Sequence, residues 1–72
     1  MLSPEGTELK KIQLGLGMKA KDFAERLDIQ PSYLSAIMHG SRNLTPNLLS
    51  RIEDCFDLDR EAIFRLRNAK RF

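Results

Sequence analysis

An all-α fold of five short helices is predicted for this 72-residue chain, on three observations. Apolar residues return at three- and four-residue spacing along most of the chain, the spacing that lines one face of a helix. No segment alternates apolar and polar residues convincingly, as a half-buried strand does. Helix punctuation also recurs, with Pro31 and Pro46 where helices start and Gly17 and Gly40 where they stop; proline suits the first helical position and glycine the residue just past the end.

Residues 1–7, "MLSPEGT", carry Pro4 and Gly6 without periodicity and are read as a flexible lead, with Thr7 capping a first helix near 7–15. Leu9, Ile12 and Leu16 are its apolar positions, and Gly15 and Gly17 dissolve it. A second helix starts around Lys19 and ends near Asp28, with Ala20, Phe23, Ala24 and Leu27 on one apolar face. Pro31 opens a third at its first helical position, where a missing N–H costs nothing. Leu34, Ile37 and Met38 form its inward stripe, and Pro31, Ser32, Ser35, Ala36 and His39 lie on or near the outer face. After the loop "SRNL", Thr45 and Pro46 repeat the restart, and Leu48, Leu49, Ile52, Cys55 and Phe56 of a fourth helix face inward. Asp59 caps a fifth, in which Ile63, Phe64 and Leu66 are apolar and Arg60, Arg65, Arg67, Lys70 and Arg71 basic.

This length predicts one domain over 1–72, with the lead at 1–7 and a basic tail at 67–72. A domain of this size buries only about 60% of its unfolded surface, so a dimer is a natural source of added stability. Cys55 is the sole cysteine and His39 the sole histidine, which leaves no intrachain disulfide and no structural zinc set. No metal or other cofactor is expected. The lone thiol suits a reducing, cytoplasmic setting. Charged residues interrupt every apolar stretch, so no run approaches the roughly 20 residues of a membrane span, and no signal peptide is read at the start.

Net charge is +2 overall but unevenly spread: 0 over residues 1–18, +1 over 19–44, −3 over 45–59 and +4 over 60–72. The last two runs either pair with one another or leave a basic surface for an anionic partner. No metal cluster, nucleophile with a base or glycine-rich phosphate loop is present, so an enzyme is not expected.

Two short helices around a tight break, with small and polar residues outside the second, make the arrangement of a helix-turn-helix. The major groove admits one helix, so the helix before it must stop abruptly. On "FAERLDIQPSYLSAIMHGSRNLTP", through Phe23, Ala24, Leu27, Ile29, Leu34, Ile37 and Gly40, the sequence resembles the lambda-repressor-like (Cro/XRE-type) helix-turn-helix DNA-binding family over roughly residues 8–66. The resemblance implies a compact five-helix domain that binds operator or promoter DNA, usually as a homodimer. Its base-reading positions match Gln30, Pro31 and Ser32, with Ser35, Ala36 and Arg42 as further candidates. Tyr33 is placed to reach a phosphate or a thymine methyl; Ser41, Arg42 and Asn43 form the loop that touches backbone, and Lys19 and Lys21 stand where the family meets phosphate. The chain departs from the family at Ala20, where many members carry a phosphate-binding Gln, at Asp28 in place of the usual turn Gly, and at Met38 in place of a frequent Glu.

Local roles compete with these. Gln30 and Ser32 suit helix capping, Tyr33 suits packing on a neighbouring helix, and Ile63, Phe64 and Leu66 suit either the monomer core or a dimer interface. The leading expectation is a sequence-specific transcriptional regulator, a repressor reading the major groove with the helix at 31–39. The alternative is a protein-binding module, such as an antitoxin gripping a toxin, since some antitoxins also resemble "LSAIMHGSRNLTPNLLSRI".

Overall fold

The computed structural model describes residues 2–69. Lys70, Arg71 and Phe72 of the expected basic tail lie outside them. Five helices follow one another, α1 (Pro4–Gly15), α2 (Ala20–Arg26), α3 (Pro31–Met38), α4 (Pro46–Cys55) and α5 (Arg60–Asn68), and no strand occurs among the described residues.

The first helix starts earlier than the sequence reading placed it. Ser3, not Thr7, is the cap: its hydroxyl accepts the Gly6 N–H at 2.9 Å, and Pro4 opens the helix. Residues 4–7 are therefore helical rather than a flexible lead. Thr45 and Asp59 cap α4 and α5 as expected, accepting the N–H groups of Leu48 and Ala62.

The first three helices stop by one device. At each C-terminus a residue in the left-handed region turns the chain: Gly17 at φ 68, Asp28 at φ 59 and Gly40 at φ 88. The N–H of that residue and of the next then bond back to carbonyls of the last turn: Gly17 to Leu14 and Met18 to Gln13, Asp28 to Glu25 and Ile29 to Ala24, Gly40 to Ile37 and Ser41 to Ala36. This is the Schellman motif, which satisfies carbonyls the helix leaves unpaired.

Leu9, Ile12, Phe23, Ala24, Leu27, Leu34, Ile37, Met38, Leu48, Ile52, Phe56 and Leu66 form one buried cluster. Phe23 and Phe56 stack at its centre with ring centroids 5.1 Å apart. Two expected core positions lie outside it, since Leu16 and Ala20 are exposed. Both flank the α1–α2 turn, Leu16 on the rim of a hollow beside α5 and Ala20 on one beside α3. Leu49 and Cys55 pack against the cluster only partly buried. Leu66 is 2% exposed, which removes it from any dimer surface; Ile63 is half-buried and Phe64 is 67% exposed.

Helix α4 braces the end of α2. The Arg51 guanidinium donates to the Leu27 carbonyl at 2.8 Å, a cation where the helix dipole is negative. Arg26 reaches back over the Phe56 ring at 5.6 Å.

Candidate nucleic-acid interface

Four residues, Leu27 to Gln30, separate α2 from α3. Leu27 is fully buried and Ile29 half-buried against the core. The break is thus anchored by two apolar side chains, with Asp28 supplying the backbone reversal. It leaves the start of α3 at the surface.

The outer face of α3 is the one the sequence anticipated. Gln30, Pro31, Ser32 and Ser35 are exposed. Gln30 takes the N-cap position with extended backbone, yet its side chain makes no capping hydrogen bond, so capping does not occupy it. Tyr33 and Ala36 are half-buried, and Tyr33 packs against the core. The competing packing role therefore holds for much of the Tyr33 ring.

Arg42 and Asn43 are exposed in the loop that closes α3. The N–H groups of Ser41 and Arg42 both bond to the Ala36 carbonyl, at 2.9 and 3.2 Å, which ties the loop to the end of the helix. Lys19 is the exposed N-cap of α2, and Lys21 is the second residue of that helix, also exposed. Lys21, Gln30 and Pro31 share the rim of a hollow with Glu25, Asp28 and Ile29.

A second hollow brings Pro31 and Ser35 beside Lys10, Ala20 and His39. Lys10 belongs to α1, and sequence reading missed it. No local signal marks it, because ten residues and a turn separate it from Ala20 and only the α1–α3 packing brings them together.

Several cations near this face are free of carboxylate partners. Among the described residues Lys10, Lys19, Lys21 and Arg42 make no ion pair, whereas Arg65 and Arg67 of α5 do. Arg67 binds Glu53 at 2.7 Å, and Arg65 lies 3.4 Å from both Glu8 and Glu61. The most basic stretch of sequence thus spends part of its charge within the molecule, joining the acidic run through Arg67 and Glu53. The cations around α2 and α3 remain available to an anion.

Neither a group of three residues suited to a metal ion nor a helix long and apolar enough to cross a membrane is found among the described residues. A family model described as helix-turn-helix matches residues 7–63, most of the chain. Comparison with curated proteins and with solved structures gave no significant match.

Proposed function

The chain belongs to the lambda-repressor-like helix-turn-helix family of DNA-binding domains, and from that premise we propose that it is a sequence-specific transcriptional repressor acting as a homodimer. The observation that carries this reading is the placement of unpaired cations around an exposed recognition face. Lys21 shares a hollow with Gln30 and Pro31, Lys10 shares another with Pro31 and Ser35, and Lys19 and Arg42 are exposed at the start of α2 and in the loop after α3.

Each group has a role in that reading. The lysines neutralise phosphates and fix the orientation of the domain, a contribution independent of sequence. Gln30, Ser32 and Ser35 offer hydrogen bonds to base edges in the major groove. Pro31, unable to make an amide contact to adenine, and Ala36 offer apolar surface to thymine methyls. Arg42 meets guanine or phosphate from the loop, Asn43 follows it to the backbone, and the Tyr33 hydroxyl reaches a phosphate while its ring stays packed. Occupying a promoter with this face blocks transcription.

The test is fluorescence anisotropy on the duplex flanking the protein's own gene, beside a scrambled duplex, at several salt concentrations. Binding should fall steeply with salt and favour the native sequence. Arg42→Ala should weaken it by about 1–3 kcal/mol if the residue reads a base, or lower the salt slope by about one if it meets phosphate. A folded protein that binds neither duplex would end the reading.

A further inference from the structure

The last turn of any helix leaves four carbonyls without partners inside it. In α3 three of them are served by residues that follow directly. The Ser35 carbonyl takes the His39 N–H at 3.0 Å, that of Ala36 takes Ser41 and Arg42, and that of Ile37 takes Gly40 at 3.2 Å, with the Ser3 hydroxyl a longer second donor at 3.4 Å. The Met38 carbonyl is served from the other end of the chain. It accepts the Ser3 N–H at 2.9 Å and the Ser3 hydroxyl at 3.1 Å.

The same hydroxyl accepts the Gly6 N–H at 2.9 Å. A hydroxyl carries one hydrogen and two lone pairs, so it can cap α1 and donate to α3 together. It joins the positive start of one helix to the negative end of another. Gly6 makes the approach possible. A Cβ there would lie 1.9 Å from the Met38 carbonyl oxygen and 2.6 Å from its carbon, both backbone atoms. Gly6 lies within α1, so the close contact, not an unusual φ, is what requires glycine.

We propose that Ser3 and Gly6 are positioning residues for sequence recognition: they clamp the C-terminal end of α3 to α1, and with it the loop carrying Arg42. The proposal rests on the DNA-binding reading above. Base contacts depend on where α3 and its loop are held, whereas flexible lysines reach phosphate from a range of positions. Loosening the clamp should therefore erode discrimination more than general affinity.

Substitutions at Ser3 separate this role from plain helix capping. Aspartate is a good cap, yet as a carboxylate it has no hydrogen to give Met38 and sets a negative charge beside a carbonyl. Threonine keeps both bonds. The probe is the duplex that the full-length wild-type protein enriches from a random-sequence library, with a scrambled duplex beside it. Ser3→Asp should lower the ratio of selected to scrambled affinity by about fivefold, the worth of one net hydrogen bond, while Ser3→Thr stays within about twofold of wild type. Amide exchange at Ser41 and Arg42 should quicken in Ser3→Asp alone.

An unchanged ratio in Ser3→Asp, equal losses on both duplexes, or an equal loss in Ser3→Thr would overturn the proposal. Should Ser3→Asp fail to fold, Ser3→Gly makes the comparison without the added charge, since glycine at the cap costs the helix little and has no hydroxyl to give Met38. If the wild type enriches no sequence, the DNA reading itself falls and the positioning role with it. Enrichment by the wild type with no effect of the variants removes the clamp alone.

Discussion

Asp28 holds a left-handed backbone at φ 59 in the one position where the sequence shows no glycine. The two sister positions, at the ends of α1 and α3, carry Gly17 and Gly40. Aspartate enters this region more readily than most residues but still at a cost, which glycine avoids while adding entropy to the unfolded chain. Asp28→Gly is expected to stabilise the fold by about 0.5–1 kcal/mol net, a rise in melting temperature of about 2–8 °C for a domain of this size. Thermal unfolding followed by circular dichroism checks it, and a drop would mean that the carboxylate makes a contribution the backbone geometry does not reveal. The two glycine stops were legible in the sequence. So was the turn near Asp28, but not its conformation, because an aspartate suits a cap, a turn or an exposed helix position equally well.

At the scale of elements, the helix-turn-helix is held by what packs around it as much as by its own residues. Arg51 of α4 donates to the carbonyl of Leu27, the residue that ends α2. Arg51→Met keeps the length of the side chain and removes the donor. The guanidinium is exposed, so water replaces part of the bond, and the expected loss is about 0.5–1 kcal/mol, at the low end for a charged donor. Urea unfolding measures it. The helix starts at Pro31 and Pro46 were readable, since a cap-position residue followed by proline is a local signal. The same signal stood at Ser3 and Pro4, where the surrounding Gly6 and the lack of an apolar period hid it. Gly6 breaks helical propensity locally, and the reason it is there lies in α3, thirty-two residues away.

For the whole molecule the open matter is what meets Phe64, which stands 67% exposed on α5. A second copy of the chain is the occupant we propose. Arg60, Glu61 and Arg65 border a hollow beside this ring and carry both signs of charge, which lets the patch face itself across a two-fold axis without like charges meeting throughout. Phe64→Asp should leave the monomer's stability within about 0.5 kcal/mol, since the side chain is at the surface. It should turn a sedimenting dimer into a monomer and weaken binding to a two-half-site duplex, whose halves lie about 34 Å apart, far more than to a single half-site. A wild type that is monomeric at high concentration, with or without the duplex, would overturn the dimer proposal.

The amino-acid sequence by itself determined the all-α class, the five helices in order and which face of α3 is exposed. Those features follow from short-range physics: apolar spacing chooses helix over strand, proline and glycine mark ends, and a helix that buries Leu34 and Ile37 must turn Ser32 and Ser35 outward. What only the tertiary structure decided lies between segments far apart in the chain. Packing buried Leu66 while leaving Phe64 at the surface, paired Arg67 with Glu53, brought Lys10 to Pro31 and Ser35, and set Ser3 and Gly6 against Met38. No local pattern encodes such contacts, because each depends on how two helices lie across one another, and that is settled by the shape of the whole core.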